Sequence, residues 1–229
     1  IIYKIFLIYG GKKMLELYFS QNFPFWNKLS QKEKDLLLNN SEILKYNKNE
    51  IIHDSTECTG VLLVIKGQLR VYILSEEGKE ITLYRLNENE VCILSASCIL
   101  KNITFSIYVD AVTDVEILKI SASAFKEVKN KNIAVEAFTT DIINKSFSET
   151  MWAMEQILFM SFDKRLARYL FEQNSDTIKL THEDIAKDVN SAREVVSRML
   201  KYFQNEGIIS LSRGSITILN RDKLKKIFS

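Results

Sequence analysis

Residues 181–209 read THEDIAKDVNSAREVVSRMLKYFQNEGII. Helical spacing places Glu194, Ser197, Arg198 and Lys201 at i, i+3, i+4 and i+7, one polar stripe with Arg193 at its head. Val196, Met199, Leu200 and Phe203 fall on the opposite side. A helix held from behind by such a face, and presenting Arg, Glu and Ser outward, has the donors and acceptors to read base edges in a major groove. Arg193 and Arg198 can each donate two hydrogen bonds to guanine O6 and N7, with a phosphate contact the plain alternative for Arg193. Glu194 can accept from a cytosine or adenine amino group, and Ser197 can face a thymine or a phosphate.

The local punctuation agrees. Thr181 with Asp184 is a capping pattern for a short helix over 181–189, and Asn190-Ser191 form a tight turn. Ser191 is placed to cap the next helix, with Glu194 closing the box; Glu194 then has two readings, cap and base contact. Gly207 stands where a C′ glycine ends that helix. Residues 208–211 and 215–219, joined at Arg213-Gly214, read as a two-stranded wing, and residues 161–173 as a preceding helix. Thr181, Ser191, Lys201 and Arg213 complete the set of candidate DNA-contacting residues.

The bulk composition is that of an ordinary globular chain: 229 residues, 46% hydrophobic, 26% charged, net charge +2. The charge is unevenly placed. From Phe159 onward there are 13 Lys+Arg against 9 Asp+Glu, and before it 18 against 20, so the positive excess lies with the candidate reading helix. Three cysteines, Cys58, Cys92 and Cys98, form no paired framework, which points to a reducing cytoplasm. The opening IIYKIFLIYGGKK is too short an apolar run to span a bilayer, and residues 1–13 read as an artefact or a disordered terminus. No P-loop, G-x-G-x-x-G, G-x-S-x-G or H-E-x-x-H occurs and only His53 and His182 are present, so the chain is not read as an enzyme.

Between residues 43 and 120 the pattern changes to short Val-, Ile- and Tyr-rich runs: 50–52, 61–65, 69–74, 81–86, 91–94, 104–109 and 115–120. Turn signals separate them, with Gly78 after Glu77 a hairpin tip. Seven or eight strands at this spacing predict a sandwich or barrel. Before it, 14–40 is helical in pattern, with Ser30 and Glu33 in a capping box. After it, 123–160 is a long helical region without Gly or Pro. Ile133, Ala137, Thr140, Asn144, Phe147, Met151, Met154 and Leu158 step alternately by four and three, a heptad seam that suits a two-helix dimer with Asn144 fixing register.

On these residues the whole of 14–229 resembles the cAMP receptor protein / fumarate–nitrate reductase regulator family. Arg193, Glu194, Ser197 and Arg198 look like that family's recognition helix, FDKRLARYL at 162–170 is similar to the helix after its dimer helix, and TGVLLVIKGQLRVYILSEEGKE at 59–80 looks like its sensor strands. The resemblance implies an α+β chain: a jelly-roll, cyclic-nucleotide-binding-like sensor over 14–122, a dimerisation helix over 123–160 and a winged helix-turn-helix over 161–229. It implies a homodimer on double-stranded DNA, with TGA in each arm of a palindrome, in contact with RNA polymerase. The competing reading is a jelly-roll protein of regulatory or catalytic role whose winged helix binds only protein.

The sensor departs from the cyclic-nucleotide branch. Matching the strands puts Ile93 and Leu94 at the family's Gly-Glu pair and Phe105, beside Ser106, at its Arg. Without glycine, carboxylate and guanidinium an anion would lack partners, so cAMP is argued against. Cys92 and Cys98 flank Ile93, Leu94 and Ser-Ala-Ser in that place, so the effector is open: a redox or nitric-oxide thiol switch, haem or a metal, or a small apolar molecule, with inert cysteines the plain alternative. No metal is assigned; His53 and Cys58 are the candidate ligands. The lack of cysteine in residues 1–57 speaks against an iron–sulfur cluster of the family's four-cysteine type.

Overall fold

The computed structural model describes residues 2–100 and 105–229, with side chains from Lys12 onward. It divides into two compact units, residues 1–77 with 83–150 and residues 78–82 with 151–229.

The first unit opens on α1 (Ile2–Asn22), so the segment expected to be an artefact or disordered is helical backbone from Ile2. Then comes α2 (Gln31–Asn39), started by the Ser30–Glu33 capping box. The barrel is two four-stranded antiparallel sheets, built from β1 (Ser41–Tyr46), β2 (Ile51–His53), β3 (Val61–Lys66), β4 (Leu69–Leu74), β5 (Glu80–Leu86), β6 (Val91–Cys92), β7 (Tyr108–Ala111) and β8 (Val115–Ile120). Their order is β1-β8-β3-β6 in one sheet and β2-β7-β4-β5 in the other. Three readings shift. Strand β1 precedes the first of the expected runs, at 50–52. Strand β6 stops at Cys92 because the chain winds into a 3-10 segment over Leu94–Ile99. Strand β7 starts at Tyr108 rather than 104, and residues 101–104 lie outside the described residues.

Strands β3 and β4 are buried on both faces at Val61–Val64 and Leu69–Tyr72. One of these positions is charged. Arg70 is bound to Asp110 on β7 through Nε–Oδ1 at 3.1 Å and Nη2–Oδ2 at 2.6 Å, and its guanidinium lies 4.1 Å from the Tyr72 ring centre. Burial of both charges is tolerated because they meet as a fork-to-carboxylate pair.

The expected continuous helix over 123–160 is two helices, α3 (Ala122–Lys131) and α4 (Ile133–Phe159). Asn132 breaks them. Its backbone is extended and its Oδ1 accepts from the Ala134 N–H at 3.0 Å, the capping chemistry that asparagine supplies better than a helix interior. One side of α4 packs on the barrel unit through Val135, Phe138 and Ile142, with Phe138 edge-on to Phe23 and Phe25. All eight seam positions lie on exposed surface instead, Ile133 at 87% and Phe147 at 65%.

The second unit holds α5 (Phe162–Phe171), β9 (Thr177–Ile178), α6 (His182–Asp188), α7 (Arg193–Asn205), β10 (Ile209–Ser212), β11 (Ser215–Ile218) and α8 (Arg221–Phe228). The wing is three-stranded rather than two-stranded, because β9 pairs with β11 at Ile178–Ile216. Helix α8, absent from the sequence reading, starts under an Asn220 side-chain cap and lays Phe228 against Phe171 of α5. Arg221 ties its first turn to Asp176 and to the carbonyls of Phe171 and Gln173. No helix among the described residues is long and apolar enough to cross a membrane.

Candidate nucleic-acid interface and effector segment

The reading surface is built from α6, the turn and α7. Thr181 accepts from the Asp184 N–H at 3.1 Å, and the Asp184 carboxylate accepts from the Thr181 N–H and hydroxyl, so the expected box is formed. The turn places Asn190 at φ 52°, a left-handed position that asparagine tolerates, and the Ser191 N–H donates to the Ala186 carbonyl at 2.9 Å. This displaces the expected cap. The residue before α7 is Ala192 and no side chain caps it; Glu194 is the second helical residue and not the third. The Ser191–Glu194 box is therefore not formed, and of the two readings of Glu194 only the outward one survives.

Val196, Leu200 and Phe203 are fully buried in one cluster with Leu166, Leu170 and Ile185. Each such side chain contributes on the order of 1.5–3 kcal/mol, far above the tenths that separate helix propensities, so burial fixes the rotation of α7. Arg193, Glu194, Arg198 and Lys201 consequently project into solvent. Ser197 differs: it is half-buried and shares a 2.8 Å hydrogen bond with His182 Nδ1. His182, given no role by the sequence, thus ties the first turn of α6 to the middle of α7. Arg213 is exposed at the tip of the β10–β11 hairpin, beside Gly214 at φ 76°. Arg193 at the head of the stripe, Lys201 at its foot and Arg213 at the hairpin tip are exposed cations suited to phosphate contact, with Glu194 the one acidic group in the stripe.

The effector candidates are not gathered into one place. Cys92, Ile93 and Leu94 are core residues of the barrel, whereas Phe105 is half exposed and Ser106 and Cys98 lie at the surface. Burial pushes the Cys92 thiol up, away from the thiolate form. The segment offers the phosphate of a cyclic nucleotide two buried aliphatic side chains and no carboxylate or guanidinium, a poor fit to that ligand. The cysteines also depart from the expected unpaired set: Cys98 is bonded to Cys58, 40 residues earlier, with their Cα atoms 6.0 Å apart. His53, the other candidate metal ligand, is buried and hydrogen-bonded to Thr59 at 2.8 Å, and the described residues hold no cluster of three or more potential metal ligands. Spacing gave no signal for the Cys58–Cys98 pair, because three cysteines allow three pairings.

A jelly-roll sensor and a winged helix-turn-helix on one chain define a DNA-binding transcription regulator. Residues 43–132 match the cyclic nucleotide-binding domain and residues 164–227 the Crp-like helix-turn-helix domain. The crystal structure of a transcriptional regulator of the CRP/FNR family from Eubacterium rectale has a TM-score of 0.85 and 43% identity over 91% of this chain and 99% of that one. The chain belongs to the CRP/FNR family. The cAMP-activated global transcriptional regulator CRP of Salmonella typhimurium is 25% identical over 192 residues, 79% of this chain and 91% of its own length. The cAMP-activated regulator Vfr of Pseudomonas aeruginosa is 23% identical over 202 residues, 82% of this chain and 94% of its own.

Proposed function

We propose that this regulator works as a cytoplasmic homodimer that reads a palindrome with TGA in each arm, in contact with RNA polymerase, under an effector other than cAMP. The observation that carries the reading is the exposed stripe of Arg193, Glu194 and Arg198 on a helix whose opposite side is locked in the core. Arms of the form TTGA or TGTGA present guanine to the arginines and an amino group to the glutamate. The eight exposed positions along α4 support the dimer: a heptad seam with large apolar side chains in water gains from a second copy. Two copies of α7 would then enter successive major grooves about 34 Å apart.

For the effector, Ile93 and Leu94 in the core speak against a nucleotide, and the raised Cys92 thiol speaks against nitrosation or haem thiolate ligation at that sulfur. His53 is already engaged with Thr59. Redox chemistry at Cys58 and Cys98 is the reading with most support. The experiment is a fluorescence anisotropy titration of a TGA palindrome and its scrambled counterpart at several salt concentrations. The expected result is tighter binding to the palindrome and an affinity that falls linearly in log–log form with salt. Equal affinity for both duplexes would remove sequence reading, and no binding to either would favour a protein-contact role for the winged helix.

A further inference from the structure

Cys58 and Cys98 are both exposed, and the cleft beside them, about 570 Å3, is lined also by Lys119, Lys126, Ser121 and Ser123 and by no carboxylate. Lys119 is shared with Glu42 at 3.1 Å, whereas Lys126 has no ion pair among the described residues. Ser121 and Ser123 belong to the start of α3, whose helix dipole adds partial positive charge at the same wall. An exposed disulfide in a cleft walled by two lysines, one of them ion-paired to Glu42, differs in kind from a buried structural bridge: positive charge stabilises a thiolate, both as attacking group and as leaving group.

We propose that this cleft is a thiol–disulfide exchange site for a small anionic thiol, and that the state of Cys58 and Cys98 is the input to the sensor. An incoming thiolate attacks one sulfur of the bond, forming a mixed disulfide, and the electron pair of the broken S–S bond leaves on the other cysteine as its thiolate. A second small thiolate attacks the small-molecule sulfur of that mixed disulfide. It releases the remaining cysteine thiolate and a small symmetrical disulfide, so the protein gains two electrons and, on protonation, two protons. The small disulfide reverses both steps.

The bond has a mechanical consequence. It clamps the loop before β3 onto the 3-10 segment over Leu94–Ile99, where the buried Ser95 hydroxyl donates to the Gly60 carbonyl at 2.7 Å. Gly60 has no slack, since it sits at φ +115° and a Cβ there would meet the Ile120 carbonyl oxygen at 2.2 Å. Opening the bond releases the covalent tie between this loop and the segment that replaces the family's phosphate cassette, and leaves the two hydrogen bonds between Gly60 and Ser95. Cys92 takes no part, being buried with its thiol pushed up. The sensing half of the proposal rests on the DNA-binding reading; the exchange half does not.

The test uses the full-length oxidised protein and two probes of opposite charge, mercaptoacetate and 2-aminoethanethiol. Bond opening is followed by alkylation and intact mass, each rate divided by that of the same probe with a small unstructured disulfide. The expected result is a several-fold advantage for mercaptoacetate that disappears in Lys126→Glu, with the reduced protein carrying new label on Cys58 and Cys98 and not on Cys92. Normalised rates that ignore probe charge, or that Lys126→Glu leaves unchanged, would overturn the site. Palindrome affinity is then measured for the wild-type protein in both states, with Cys58→Ser and Cys98→Ser as locked-open forms. The expectation is at least a tenfold difference between oxidised and reduced protein, both variants following the reduced one. Equal affinity in both states overturns the sensing role. Absence of palindrome binding in either state, with exchange intact, is instead a failure of the DNA-binding reading.

Discussion

Helix α7 and the segment from Cys92 to Ile99 are both short stretches in which chemically capable side chains alternate with apolar ones, yet they are specified differently. In α7 the meaning is local: a period of 3.6 sorts Val196, Leu200 and Phe203 from Arg193, Glu194 and Arg198, and burial of the first set aims the second. In the second segment no helical or strand period sorts the residues: 92–96 are all buried, Cys98 comes to the surface, and the partner of Cys98 is a residue 40 positions away. Function carried by a periodic face can be read along the chain. Function carried by a pairing across a barrel cannot.

The comparison breaks most sharply at the inward side of α7. Phe203→Ala should cost about 3–5 kcal/mol, as for other buried aromatic truncations, and abolish DNA retention with it. Urea unfolding followed by circular dichroism checks this, and a loss below 1 kcal/mol would mean that α7 is not anchored as described. The corresponding insult to the sensor is reduction of Cys58–Cys98. Reopening a loop of this length should lower stability by about 2–4 kcal/mol, read as a drop in urea midpoint between oxidised and reduced protein. Truncating the outward side should leave the fold alone: Arg198→Ala is expected to weaken palindrome binding by about 1–3 kcal/mol per half-site with an unchanged unfolding midpoint.

Smaller effects sharpen the boundary of α7. Thr181→Ala removes a formed cap and should cost about 0.5–2 kcal/mol, whereas Ser191→Ala removes none and should stay within about 0.5 kcal/mol. Thermal unfolding of the pair separates them, and equal losses would restore Ser191 as a cap. The smallest expected effect is a pH slope in the sensor. Burial holds the His53 imidazole below its usual 6.5, with nearby Asp54 opposing weakly. The unfolded chain then binds the extra proton first, so stability should be full above pH 6.5 and decline as the pH falls below it. His53→Gln should flatten that decline in urea midpoints measured between pH 7 and the acid limb.

How much of this was legible follows from the same contrast. The barrel, the winged helix, the Thr181 box and Gly207 were readable because each depends on residues within a turn or a strand of one another. The Ser191 cap misled because Ser-x-x-Glu satisfies the pattern, while the Ser191 N–H is already spent on Ala186 in the turn. Arg70 lies in an otherwise apolar run with nothing to mark it as buried, since Asp110, which makes burial tolerable, comes 40 residues later. Asn132, a good cap between two helical patterns, carries the break there without Gly or Pro. Strand β9 and helix α8 are too short to announce themselves.

Whether two copies of α7 read a symmetric site is decided by selecting duplexes from a randomised pool with the wild-type protein and sequencing what is bound. The expected result is enrichment of a two-fold symmetric sequence with TGA in each arm and arm centres about one helical turn, roughly 10 base pairs, apart. Enrichment of a single unpaired half-site, of arms without TGA, or of no sequence at all would contradict it.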